Sequence, residues 1–309
     1  MRSRTENGYG CERVNLARGK HQDQQVRSLR FKIQVALKES SMLRLFCAAL
    51  CAVLFVLPLC LQPAGAAEPD RAAEEKPLYE LRIYTCEPGK LPALEERFRD
   101  HTLRIFEKHG MKNLGYWVPS DSPASENTLI YFLEHASREA AQKSWTDFRA
   151  DPEWKKVVAA CEAKYGKILA KPPESTFLHC TDYSPVVGLP QADRCFDLRI
   201  YTAAPGKLDE LNARFKNHTD QLFQKHGMRA YGYWVPVDAP RSTDTLIYVL
   251  EFPSREAANA SWSAFRADPV WKKALEESER NGSLTASRPE SLFMRLAPFS
   301  PTAESAPEN

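Results

Sequence analysis

The 309-residue chain is 43% hydrophobic and 27% charged, the balance of a soluble globular protein, and its length admits about two domains. A formal net charge of +2 with no basic stripe excludes an electrostatic nucleic-acid binder.

Residues 1–41 are polar, Arg-rich and without periodicity, and are read as a non-native or disordered leader with translation starting at Met42. Residues 42–66, MLRLFCAALCAVLFVLPLCLQPAGA, then combine a basic start at Arg44, an apolar run from Leu45 to Leu61 and a small-residue end at Ala64-Gly65-Ala66. That pattern predicts an export signal cleaved before Ala67. The alternative is a membrane anchor, since the apolar run approaches spanning length. Residues 67–77 read as a linker. Four cysteines would remain after cleavage, Cys86, Cys161, Cys180 and Cys195, with no C-x-x-C spacing to suggest zinc. Export would permit disulfides, and a Cys180–Cys195 bridge is one of three connectivities.

From Leu81 the chain repeats itself. Tyr84 and Tyr201, His109 and His226, Trp117 and Trp234, and Trp154 and Trp271 are each 117 residues apart, without interruption from Leu81 to Lys156. A unit of about 100 residues is a small domain rather than a solenoid repeat. The expected domains are 78–182 and 195–297, joined by a linker over 183–194 and followed by a disordered tail over 298–309.

Within the first copy, LYELRIYTC alternates as a strand and Pro88-Gly89 ends it. Leu91, Leu94, Phe98, Thr102, Ile105 and Phe106 keep helical spacing until Gly110. MKNLGYWVP and TLIYFLE are two further strands. Ser137 is the N-cap of a helix carrying Trp145 and Phe148, which breaks at Asp151-Pro152 and resumes with Trp154. STFLHC closes the unit. The order β-α-β-β-α-β predicts an α+β fold with ferredoxin-like topology in each copy.

The third strand is apolar on both sides, and helices in this topology cover only one. The uncovered face, with Ile130 and Phe132, therefore needs a partner, and the second copy offers Ile247 and Val249. The expected architecture pairs the two domains through these faces, helices outside. In the first strand Leu81 and Ile83 are expected to meet the helices, which would point Glu80, Arg82 and Tyr84 into the shared interior.

YELRIYTCEPGKL, EKHGMKNLGYWVP, SREAAQKSW and FRADPEWKK, with their second-copy counterparts, resemble the NIPSNAP family within the dimeric α/β-barrel superfamily. The resemblance implies that each copy is a half-barrel and that the two close into an intramolecular dimeric α/β barrel. It implies little about activity. The superfamily includes cofactor-independent oxygenases and haem-degrading enzymes, whose motifs have no match here. Eukaryotic relatives are associated with mitochondria, from which the export signal departs.

The chemistry-bearing candidates follow from the repeat. His101 and His218, lying near the inward helix stripe, and Arg82 and Arg199 are the catalytic candidates. An interior arginine needs an anion, either a neighbouring Glu or Asp or an anionic group on a ligand. His109 and His226 sit where helices end, a common place for a cation serving the helix terminus. With Tyr84, Tyr116, Trp117, Tyr201, Tyr233 and Trp234 they form the candidate ligand-binding set. Trp117 and Tyr116 alternate, so one of each Tyr-Trp pair faces the interior. No P-loop, dinucleotide fingerprint, Ser-His-Asp order or metal cluster is present in the sequence, so no cofactor or metal is expected. The expectation is an exported protein that binds a small apolar or amphipathic ligand in each half. The alternatives are a monooxygenase or isomerase of the barrel type using His101/His218 with Arg82/Arg199, and a structural interaction module without a pocket. Self-association of the two domains is expected, with further homo-oligomerisation open.

Overall fold

The computed structural model describes residues 76–305. The leader and the segment read as an export signal lie outside the described residues. Among those described, no helix is long and apolar enough to cross a membrane.

The first copy contains β1 (Leu78–Thr85), α1 (Leu91–Arg97), α2 (Leu103–Lys108), β2 (Lys112–Pro119), β3 (Thr128–His135), α3 (Arg138–Ala150), α4 (Pro152–Tyr165) and β4 (Glu174–Cys180). A π turn over Phe98–Thr102 joins α1 to α2, and Gly110, at φ 75°, releases the chain into β2. Ser137 caps α3 by accepting from the Ala140 amide at 3.2 Å, and Asp151 ends α3 and caps α4, with Pro152 in its first turn. The second copy repeats this as β5 (Cys195–Thr202), α5 (Leu208–Arg214), α6 (Asp220–Lys225), β6 (Arg229–Pro236), β7 (Thr245–Phe252), α7 (Arg255–Ala267), α8 (Pro269–Ser278) and β8 (Glu290–Leu296).

The eight strands of the described residues form one closed antiparallel barrel in the order β1-β3-β2-β8-β5-β7-β6-β4. The halves are joined by hydrogen-bonded seams as well as by face packing. At one seam Trp117 pairs with Leu296 and Pro119 with Met294; at the other Leu178 pairs with Pro236 and Cys180 with Trp234. Two reciprocal ion pairs lie across the halves: Arg138 with Asp238, and Arg255 Nη2 with Asp121 Oδ2 at 3.1 Å. Each joins the β-strand loop of one copy to the helix start of the other.

The shared centre contains the residues expected there, Ile130, Phe132, Ile247 and Val249, around Trp117 and Trp234. Trp234 stacks on Phe132 across the halves at 4.9 Å between centroids. The facing of β1 is the reverse of the expectation. Leu81 pairs with Phe132 and Ile83 with Ile130, so these two point into the barrel. Arg82 pairs with Tyr131, and Glu80, Arg82 and Tyr84 turn outward to the helices. The reason is solvation. Around Trp117 and Trp234 the centre is lined by aliphatic and aromatic side chains that would leave a carboxylate and a guanidinium without partners, whereas α3 and β4 bring hydrogen-bonding groups to the outer face. Alternation could not distinguish the sides because both are covered.

Residues 298–305, expected to be part of a loose tail, pack on the first half. The Phe299 ring lies 5.4 Å from that of Tyr116, and Ser300 Oγ accepts from the Tyr116 amide at 3.0 Å. Tyr183 and Ser184 make the same contacts with Tyr233 at 5.1 and 3.0 Å. Each half is thus sealed by the segment leaving the other half's last strand. The four cysteines among the described residues are free thiols, so the Cys180–Cys195 bridge is absent.

The duplicated Gly-Tyr-Trp now has a physical reason. β2 bulges between Asn113 and Gly115, Tyr116 faces the helices, and Trp117 turns inward and folds back over Gly115. A Cβ at Gly115 would stand 2.4 Å from the fully buried Trp117 ring, and one at Gly232 would meet Trp234 at the same distance. Gly115→Ala or Gly232→Ala should therefore lower stability by about 1–3 kcal/mol through overpacking. Gly188→Ala, with nothing within 4 Å, should be near neutral. Denaturant midpoints of the three variants check this, and equal midpoints would refute the seat proposed for the tryptophan.

Candidate binding cleft

Because the barrel centre is filled, the candidate site lies between the outer face of the first-half sheet and its helices. A cleft of about 740 Å³ opens there, lined by Arg82, Tyr84, Arg97, Trp145, Trp154 and Ile168 among others. β1 supplies Arg82 and Tyr84, α1 supplies Arg97, and α3 and α4 supply the two tryptophans. Flat aromatic walls with a few polar groups are the composition expected of a small-molecule pocket.

A buried charge cluster forms the floor. Glu80 accepts from Arg82 Nη1 at 2.6 Å, His135 Nε2 at 3.0 Å, Trp145 Nε1 at 2.7 Å and Ser175 Oγ at 2.5 Å. The carboxylate can only accept, so the proton of His135 belongs on Nε2. Burial alone would push the Glu80 carboxyl up, but hydrogen bonds from His135 and Ser175 and the charge and hydrogen bond of Arg82 hold it at about 2. Arg82 lies over the Trp145 ring at 4.2 Å and its Nη2 is 3.5 Å from the Tyr84 hydroxyl. Its charge is thus already met by Glu80, the structural partner weighed at the outset.

The second half keeps the plan with weaker parts. Asp197 accepts from Arg199 at 3.2 Å, Trp262 at 3.1 Å and Ser291 at 2.7 Å, and Phe252 stands where His135 does. With a shorter side chain and one donor fewer, burial wins, and the Asp197 carboxyl is pushed up.

Arg97 was missed in the sequence reading. It is 9% exposed, lies over the Trp154 ring at 5.4 Å and lines the cleft, yet no carboxylate among the described residues pairs with it. Its Nε is buried without a partner. Its position three residues after Leu94 and one before Phe98 placed it on the inward flank of the helix, which was the available signal.

His101 and His218 are exposed on the π turns, where Thr102 and Thr219 take the inward positions; neither lines the cleft. The expectation that they approach the inward stripe is therefore corrected. His109 Nε2 and Lys108 Nζ bond Asp151 Oδ2 at 2.7 and 2.8 Å, and His226 and Lys225 bond Asp268 at 2.7 Å each. Lys108 and His109 hold the Asp151 carboxyl well below its usual range. These histidines tie a helix end to a helix cap, the terminus role weighed earlier. Tyr116 and Tyr233 are fully buried on the helix side, and Trp117 and Trp234 in the centre. Tyr84 lines the first cleft, and Tyr201 occupies the equivalent place on β5, 3.2 Å from the Tyr248 hydroxyl. Arg199 lies over Trp262 at 4.1 Å. Among the described residues no three His, Cys, Asp or Glu side chains converge as metal ligands.

The fold is an α+β closed barrel of two like halves with an outward-facing cleft. The chain belongs to the NIPSNAP family: the family's model matches residues 79–185 and 196–301, one match per half. No curated protein matches it. Among solved structures, it is similar to a NIPSNAP family protein of unknown function from Agrobacterium tumefaciens, at 20% identity over 37% of this chain and 96% of that one, TM-score 0.32. A protein of Fusobacterium nucleatum provisionally called a monooxygenase matches at 12% identity over 72% of this chain and 92% of that one, TM-score 0.47. An anthrone oxidase-like protein matches at 17% identity over 76% and 98%, TM-score 0.48.

Proposed function

We propose that this is an exported NIPSNAP-family protein, each half a ferredoxin-like unit, that binds a small, flat, apolar or amphipathic molecule. The first-half cleft is where it binds. The observation carrying this reading is the 740 Å³ cleft with Trp145, Trp154 and Tyr84 as walls, a volume within the usual range for small ligands. The packed barrel centre supports moving the ligand outward from the interior site first expected. Export rests on the residue pattern of 42–66, and the N-terminal sequence of the mature protein tests it. The full chain should bind at least one of haem, a naphthoquinone and palmitate saturably, with quenching of tryptophan fluorescence, and Trp154→Ala should weaken that binding. Absence of saturable binding across all three would overturn the reading.

A further inference from the structure

The two halves differ at one buried arginine beneath the helices. The counterpart of Arg97 is Arg214, and the counterpart of Glu162 is Glu279, each 117 residues on. In the second half the pair is closed: Arg214 Nη1 donates to Glu279 Oε1 at 3.0 Å and lies 3.3 Å from Ser278 Oγ. Both guanidinium groups sit over a tryptophan, Trp154 or Trp271, at 5.4 Å. In the first half no ion pair joins Arg97 to Glu162, and the position of Ser278 is held by Cys161; Nε is without a partner in both arginines, so what distinguishes the halves is the carboxylate.

The difference follows from helix length. α4 has 14 residues and runs through Glu162 to Tyr165, so Glu162 is inside the helix and exposed to solvent. α8 has 10 residues and ends at Ser278, so Glu279 is its C-cap, where the chain leaves the helix and the carboxylate reaches Arg214. One residue fewer before Gly282 than before Gly166 accompanies the earlier ending. A buried guanidinium without an anion is costly, and a carboxylate offered in fork geometry is its natural partner. The second half satisfies that need from within.

Building on the cleft reading, we infer that the ligand of the first half is a flat amphipathic carboxylate whose anionic group pairs with Arg97, as Glu279 pairs with Arg214. The second half is a self-occupied site, so the chain takes one such ligand. Of the other cations lining the cleft, Arg82 is paired with Glu80, Lys167 with Glu87, and Arg149 is exposed to solvent, so Arg97 is the buried guanidinium that can read an anion.

The test uses the full chain with 2-naphthoate and its neutral analogue 2-naphthylmethanol, followed by calorimetry. Naphthoate should bind with one equivalent per chain and at least about tenfold more tightly than the alcohol, as expected for a hydrogen-bonded charge pair. Arg97→Gln should remove that preference while leaving the weak binding of the alcohol. Glu279→Ala, which frees Arg214, should add a second equivalent of naphthoate; this gain is readable even if Arg97→Gln folds poorly. Equal binding of acid and alcohol, unchanged by Arg97→Gln, would overturn the carboxylate assignment and leave the cleft reading standing. One equivalent in Glu279→Ala would overturn the self-occupied second site. Binding of neither compound would overturn this inference, and the cleft reading falls with it if haem, the naphthoquinone and palmitate fail to bind as well.

Discussion

Glu80→Gln should be among the most destabilising single substitutions in the chain, costing about 3–5 kcal/mol, the range for a buried ion pair that loses one partner. The exchange preserves shape and removes only charge and acceptor capacity. All four neighbours of Glu80 are donors: Arg82, His135, Trp145 and Ser175. A glutamine amide nitrogen must therefore face at least one of them, and Arg82 keeps a charge that nothing close by cancels. Asp197→Asn should cost less, because only three donors meet Asp197 and at longer distances. The pH dependence has a definite sign. Glu80 is held at about 2 in the folded protein against an ordinary 4.5, so its contribution is fully present above about 4.5 and is lost as pH falls through about 2. Asp197, pushed up by burial, acts in the opposite sense: its ionisation opposes folding, and acid relieves it. Urea midpoints measured between pH 5 and pH 2 should therefore fall for the native chain and fall less steeply for Glu80→Gln. The remaining slope belongs to other carboxylates held down, among them Asp151 and Asp268. Superimposable acid profiles would remove Glu80 from this role.

Trp234→Ala should cost about 3–5 kcal/mol, the range for deleting a large buried aromatic side chain. Its ring is fully buried, stacked on Phe132 of the other half and within 6.2 Å of Tyr79 and Tyr231. The surrounding strands are locked on both sides into a closed barrel, so the void has little room to collapse. Trp154→Ala removes a partly exposed cleft wall and should cost clearly less, which makes it the paired control. Similar losses for the two would mean that the barrel centre relaxes as easily as the outer cleft.

Much of the architecture was legible because it rests on local patterns. The repeat at a spacing of 117 residues, the stops at Gly110 and Asp151-Pro152, and the two-sided apolarity of β3 led to a shared centre of Ile130, Phe132, Ile247 and Val249. What failed was the facing of β1. Alternation states that Leu81 and Arg82 lie on opposite sides but not which side is which when neither meets water. The groups that decide it, His135, Trp145 and Ser175, lie 55, 65 and 95 residues from Glu80. The same limit moved the expected site from the interior to the outer cleft. It also concealed Arg97, a helical arginine whose isolation appears only when the closed Arg214–Glu279 pair is set beside it. The shortened segment before Gly282 was visible, but its meaning required knowing where each helix ends.

Closure of the sheet limits how the molecule can meet others. An open sheet exposes unpaired amide and carbonyl groups along its outermost strands, a template on which a stray chain can add. Every strand among the described residues has a neighbour on both sides, so the barrel itself offers no edge for strand addition or runaway fibre growth. What the barrel turns outward to a partner is helix surface and loop, whose side chains can diverge without disturbing the sheet.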